Sequence, residues 1–236
     1  MKLAIMQPYF FPYIGYFQLI AAVDRFVLYD NVKYTKKGWI NRNRYLLEGR
    51  DAVFSVPLKH DSDFREVRER LVAEDFDRRG LLERIRQAYR KAPCFEPAFA
   101  VFEKAVSNPE RNLFGYVRQS LADVCAYLGV TTPIVPSSEI PIDHSLRGEE
   151  RVVAICRQQG ASVYVNAIGG LELYSAAAFS AHGIELRFLK SHAIEYPQLG
   201  AAFVPWLSIL DVLMFNSPDR VRGFLADGFD LVGGSA

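Results

Sequence analysis

The side chains in this 236-residue sequence that could do chemistry fall in four short stretches. The first is Gln7-Pro8-Tyr9-Phe10-Phe11-Pro12-Tyr13-Ile14-Gly15-Tyr16. Two prolines and a glycine fix an unusual backbone path. A glycine opening a helix lets a phosphate approach backbone N–H groups and the positive helix end. Gln7, Pro8, Tyr9, Phe11, Tyr13, Gly15 and Tyr16 are therefore candidate contacts; the alternative is that these aromatics are ordinary core. The second stretch runs from Asp30 to Arg44. Between residues 31 and 50 six Lys or Arg face one acid, interleaved with Tyr34, Trp39 and Tyr45. Cations neutralise phosphate and aromatic faces stack on a base or sugar, so Lys36, Lys37, Trp39, Asn41, Arg42 and Asn43 suit a nucleotide, a nucleotide-sugar or an RNA end. A solvated hairpin is the alternative.

The third stretch is Ser137-Ser138-Glu139, followed by His144 and Arg147. Paired hydroxyls at a strand end can hold a phosphate or an acyl carbonyl, with Arg147 beside them, although Ser138 could equally cap a helix. No GxSxG elbow surrounds either serine, which argues against a nucleophile. The fourth stretch contains Tyr164, Asn166, Gly169 and Gly170, a strand entering a Gly-Gly turn. It has neither GxGxxG nor GK[ST] spacing, which argues against dinucleotide and Walker-type binding. Asp211 is a lone acid in the apolar run LSILDVLMF, either a paired anchor or a functional group. His60, His144, His182 and His192 are scattered, and no metal site or cofactor is expected.

Elements able to position these residues are written in the apolar pattern. LAIM (3–6) and RFVLYD (25–30) read as buried parallel strands, and Tyr16, Leu19, Ile20 and Val23 recur at helical spacing between them. Residues 43–58 read as a hairpin turning at Glu48 to Asp51. Residues 61–91 carry nine basic and eight acidic side chains and read as a charged helical surface. Helices follow near 98–106 and from Leu113 to Leu128, the second ended by Gly129. The remainder alternates: a strand over 132–139, a helix closed by Gly160, a strand over 161–166, a loop and helix after Asn166, a strand over 184–190, and a helix around Asp211. Five strands separated by helices predict an α/β fold with a doubly wound parallel sheet of Rossmann-like type. One domain over 1–232 is expected, with a hairpin and helical insertion at 43–130 and a flexible tail at 233–236.

Composition sets the outer bounds. Half the residues are hydrophobic, and the net charge is +1, which excludes a disordered chain and a strongly basic nucleic-acid binder. Cys94, Cys125 and Cys156 are odd in number and set in apolar helical contexts, so they read as buried thiols. Pro8 and Pro12 interrupt what could resemble a signal peptide, and no run reaches 18 apolar residues. A cytoplasmic protein without a membrane span is expected.

The blocks QPYFFPYIGYFQLI, DRFVLYDNVKY, GWINRNR, SSE, YVNAIGG and LSILDVL together resemble the WbqC-like family of bacterial proteins, from residue 3 to about 225. The resemblance implies a setting in O-antigen and other surface-polysaccharide or small natural-product biosynthesis. It implies transfer of an aminoacyl, glycyl-like, or acyl group to the amine of a nucleotide-linked amino sugar or another small amine, with charged tRNA as donor. It further implies a floor of Gln7, Tyr9, Tyr13, Gly15 and Tyr16, Asp30 as the acceptor-side acid or general base, and Lys36, Lys37, Trp39, Asn41 and Arg42 on a phosphate-bearing partner; Tyr13 and Tyr34 are further catalytic candidates. Asn166-Ala167 and Arg147-Gly148 depart from the family pattern. The first loop also resembles the HxGH loop of the nucleotidylyltransferase superfamily (HUP-like), but here it reads Tyr13-Ile14-Gly15-Tyr16. Nucleotidyl transfer and non-catalytic binding of a nucleotide-sugar or RNA end are the alternatives.

Overall fold

Apolar residues repeat through the strands with a period of two on both faces, so the sheet they form must be covered on both sides. The computed structural model describes residues 1–62, 64–200 and 202–233. Among them, six strands form one sheet: β1 (Lys2–Met6), β2 (Arg25–Leu28), β5 (Ile134–Pro136), β6 (Val163–Ala167), β7 (Glu185–Ser191) and β8 (Phe229–Gly233). Their order is β5-β2-β1-β6-β7-β8, parallel throughout except that β8 runs antiparallel to β7. The chain builds outward from β1 through β2 to β5, then returns to build the other side from β6. The carboxyl ends of β1 and β6 therefore flank the point where the order reverses, the place where open α/β sheets form a ligand crevice.

Leu3, Ile5, Val27, Tyr164, Leu186 and Phe188 point to one face. There they meet Val152, Ile155 and Cys156 of α5 (Gly148–Gln158) and Phe179 of α6 (Ala176–Ser180). Ala4, Phe26, Leu28, Val165 and Leu189 point to the other. That face is covered by α1 (Ile14–Ala21), α7 (Ile209–Phe215) and α8 (Pro218–Asp227). Each large apolar side chain so buried contributes about 1.5–3 kcal/mol.

β3 (Arg42–Leu47) and β4 (Arg50–Ser55) pair as a separate antiparallel hairpin. Glu48 and Gly49 both have positive φ, 50° and 75°, as a two-residue turn between right-twisted strands requires. α2 (Arg78–Tyr89), α3 (Phe95–Val106) and α4 (Leu113–Leu128) follow, and their apolar faces continue the cluster on the α1 side of the sheet. Asn112 caps α4 through Gly115 N–H at 3.1 Å, and Gly129 ends it in the left-handed region.

Three expectations need correction. Only 78–89 of the charged region 61–91 is α-helical. Before it the backbone is committed elsewhere: Tyr34 N–H donates to Arg65 O, Val67 N–H to Val32 O and Arg68 N–H to Asp30 O. Residues 65–72 thus strap the second loop toward α4, and a segment bonded to distant backbone cannot also close helical turns. The sheet gains the antiparallel strand β8 beyond the five expected strands, and the helix α8 precedes it. Gly233, expected in a flexible tail, ends β8, while 234–236 lie outside the described residues. Among the described residues no helix is long and apolar enough to cross a membrane.

Candidate functional site

The loop after β1 is held by its carbonyls. Phe11 takes a φ of 45°, uncommon without glycine, and its carbonyl accepts from Asn43 Nδ2 at 2.9 Å and Ser208 Oγ at 2.6 Å. Asn43 also donates to Phe10 O at 3.2 Å, and Ile209 N–H donates to Pro12 O at 2.8 Å. Phe10 and Phe11 turn inward, edge to face with Phe54 and Phe102. Tyr9 and Tyr13 stay half-buried at the surface of that aromatic core.

Those two tyrosines line a cleft of about 280 Å³ with Pro12, Trp39, Asn43, Arg44 and Trp206. Arg44 comes from β3, donates to Trp206 O at 2.9 Å and pairs with Asp51 at 3.5 Å. The guanidiniums of Arg42 and Arg44 both lie 5.6 Å from the Trp39 ring centroid. Arg42 further holds the turn carrying Lys36 and Lys37, donating to Gly38 O at 3.0 Å and Lys37 O at 2.8 Å. Both lysines are exposed beside Trp39, itself 38% exposed. Trp206 is 63% exposed with a φ of 59°, a large aromatic held outward on an unfavourable backbone.

Trp206 meets Tyr13 edge to face at 6.1 Å, and the pair divides the cleft from a second cavity of about 260 Å³. Ser191, His192, Glu195, Tyr196 and Phe203 line it with Tyr13. Gly15 brings α1 close to β7 at this point. A Cβ there would lie 2.3 Å from the Tyr13 ring and 2.6 Å from Ser191 Oγ. Gly15 therefore serves close packing, and the phosphate approach expected at it has no room. Burial raises the Tyr9 and Tyr13 phenols above their ordinary pKa, with the neighbouring Tyr9 adding to the effect at Tyr13, so both are hydrogen-bond donors at neutral pH.

Asp30, Ser137 and Ser138 meet at the carboxyl ends of β2 and β5, as a closed clamp. Asp30 Oδ1 accepts from Ser137 Oγ and Ser138 N–H, each at 2.9 Å, and Oδ2 accepts from Ser138 Oγ at 2.5 Å. Asp30 is 3% exposed. Asn31 beside it accepts from Arg151, whose guanidinium stacks on Tyr29. Serine hydroxyls already aimed at a carboxylate are poorly placed to hold a phosphate, because that negative charge would repel it. Arg147 turns its guanidinium onto His144 O and Leu146 O.

Several expected contacts are braces. Tyr34 OH donates to Asn41 Oδ1 at 2.7 Å, and Asn41 donates on to Val56 O at 2.8 Å, joining the second loop to the residue that follows β4. Burial raises the Tyr34 phenol, with Arg70, 4.9 Å from its ring, opposing. Gln7 is half-buried, its carbonyl accepting from Tyr16 OH at 2.8 Å, and Pro8 is buried. Phe11, Tyr16, Tyr164 and Asp211 are at most 1% exposed and stand in the core instead of lining a site. Tyr164 stacks on Phe179. Asp211 accepts from Tyr89 OH at 2.8 Å, Tyr196 OH at 2.7 Å and Gln198 Nε2 at 2.6 Å. Gly170 lies against Asn166, whose Oδ1 accepts from Ala167 N–H at 2.8 Å, while Gly169 is exposed.

The cleft thus gathers Tyr9, Tyr13, Trp39 and Asn43 from the sequence candidates and adds Pro12, Arg44 and Trp206. Arg44 was within the basic strip; Trp206 carried no local signal, since its neighbours read as a helix approach. His192 was legible only as an isolated histidine. Cys125 and Cys156 are buried, and burial pushes both thiols up to about 12, so neither is a thiolate nucleophile at neutral pH. Among the described residues no three His, Cys, Asp or Glu converge as a metal site would need.

Comparison with known proteins agrees along most of the chain. The WbqC-like protein family matches residues 7–223. An uncharacterized protein of Mycobacterium tuberculosis, Rv1507c, is 30% identical over 228 residues, covering 94% of this chain and 97% of that one. No solved structure gives a significant match.

Proposed function

The chain belongs to the WbqC-like protein family, and from that membership and the cleft we propose that it is a transferase attaching an aminoacyl, glycyl-like, group to the amine of a nucleotide-linked amino sugar. The observation that carries the reading is the cleft between Trp39 and Tyr13, where aromatic faces and the Arg44 guanidinium stand together. A base stacks on Trp39 or Tyr9, and the diphosphate lies against Arg44. Lys36 and Lys37, exposed beside Trp39, suit the phosphates of a charged tRNA as donor. The strand order supports a Rossmann-like reading of the sheet, with ligand held at its reversal point.

Aminoacyl transfer from an activated ester asks little covalent work of the protein. It must align two substrates, remove one proton and steady an oxyanion. Tyr13, a protonated phenol between the two cavities, is placed to donate to that oxyanion. Nucleotidyl transfer is less well supported, because Tyr16, at the position of the second HxGH histidine, is buried with its hydroxyl on Gln7 O.

The test is incubation of the purified chain with a nucleotide-linked amino sugar and glycyl-tRNA, followed by mass spectrometry of the sugar. A glycyl amide on the sugar is the expected product. Unchanged sugar across a panel of aminoacyl-tRNA and acyl thioester donors overturns the reading, and salt-sensitive binding without product identifies a binding module.

A further inference from the structure

We propose that His192, oriented by Asp230, is the general base of the transfer, and that the acceptor amine is held in the cavity between Tyr13 and His192. This rests on the transferase reading above. The placement follows from strand register. Ser191 ends β7 opposite Phe229 of β8, and the next residue continues the ladder, with His192 N–H donating to Gly228 O at 2.8 Å. Asp230 lies diagonally across on the same side, and its Oδ2 is 3.0 Å from His192 Nε2. The strand end is fixed in turn by Gln18 of α1, buried, which accepts from Ser191 Oγ at 2.7 Å and donates to Phe224 O and Gly228 O at 2.9 Å each. Gly15 lets α1 approach that closely.

A carboxylate on Nε2 favours the tautomer with the proton there and leaves the lone pair on Nδ1, the arrangement a histidine base requires. The imidazole lines the second cavity with Ser191, Glu195 and Tyr13, across the Tyr13–Trp206 pair from the stacking cleft. A nucleotide-linked sugar seated on Trp39 directs its amine past that pair toward His192. Glu195 suits an amine by charge, and Phe203 and Leu207 form apolar walls on the cavity, while His192 and Asp230 themselves stand exposed to solvent. The amine nitrogen attacks the ester carbonyl carbon, forming a C–N bond, and His192 Nδ1 takes the proton from that nitrogen. The C–O bond to the tRNA ribose then breaks, and the imidazolium returns the proton to the departing oxygen. Atoms and charge balance without a further reactant.

The experiment compares wild type, His192→Ala and Asp230→Asn under steady-state conditions with the nucleotide-linked amino sugar and glycyl-tRNA, alongside nitrogen NMR of the imidazole. The expected result is a fall in kcat of roughly 100-fold or more for His192→Ala with KM within a few fold. Added imidazole restores part of the rate to that variant alone. Asp230→Asn lowers kcat by less and shifts the His192 tautomer signal. A His192→Ala enzyme with wild-type kcat overturns the base while leaving the transferase reading intact. Absence of product from wild type itself overturns the transferase reading and the base with it.

Discussion

Trp39 and Arg44 are the proposed recognition groups of the cleft, and each makes a separate prediction. Trp39→Ala removes one stacking face, so nucleotide-sugar affinity should weaken by about 1–3 kcal/mol, roughly 5- to 150-fold in Kd. Titration calorimetry checks this, and an unchanged Kd would remove Trp39 from the site. Arg44→Ala should weaken binding and also flatten its dependence on salt, because a phosphate contact is lost; a salt slope equal to wild type would contradict the assignment. The sequence made Trp39, Asn43, Tyr9 and Tyr13 legible through residue type and crowding. It could not separate them from Phe11 or Tyr16, because which aromatic faces in depends on carbonyls held by Asn43 and Ser208. Asp30 shows the converse: an acid at a strand end reads as a catalytic group, yet three donors from Ser137 and Ser138 occupy its oxygens.

At the level of elements, the close approach of α1 to β7 is the joint on which the site depends. Gly15→Ala would force the Tyr13 ring and Ser191 apart, since the new methyl has no space. The expected outcome is lost substrate affinity with a modest fall in Tm, measured by calorimetry and thermal unfolding; wild-type affinity would show that Tyr13 need not stand where it does. Strands buried on both faces were legible as apolar runs, and α3 and α4 as periodic ones. The hairpin was legible because its turn needs residues at positive φ, which Gly49 supplies at little cost beside Glu48. α8 and β8 were not. β8 is a half-exposed edge strand containing Asp230, with no apolar run to announce it, so the partner of His192 was hidden with it. The strap at 65–72 was missed for a related reason: its hydrogen bonds run to residues far away in sequence.

Across the whole molecule, Asp211 ties α7 to Tyr89 of α2 and, through Tyr196 and Gln198, to the long loop that presents Trp206. Burial holds its carboxyl above the ordinary range, against the lowering effect of those three donors. The folded state therefore favours the neutral form. That contribution is complete below the ordinary carboxylate pKa of about 3.9 and is lost as pH rises through the raised folded value. The stability of wild type relative to Asp211→Asn should thus be greatest at acid pH and decline as pH increases, by chemical denaturation; a difference that grows with pH would contradict it. Asp211→Ala should cost about 1–3 kcal/mol for each buried donor left unpaired. The near-neutral charge of the chain conceals this organisation, averaging a charged outer region with a basic, aromatic edge where the sheet order reverses. We propose that this edge transfers an aminoacyl group to a sugar amine. Mass spectrometry of a nucleotide-linked amino sugar after incubation with the chain and glycyl-tRNA tests it most directly. A sugar heavier by one glycyl residue, formed roughly 5- to 150-fold more slowly with Trp39→Ala at substrate concentrations well below wild-type saturation, is the predicted result; sugar of unchanged mass with every donor would contradict it.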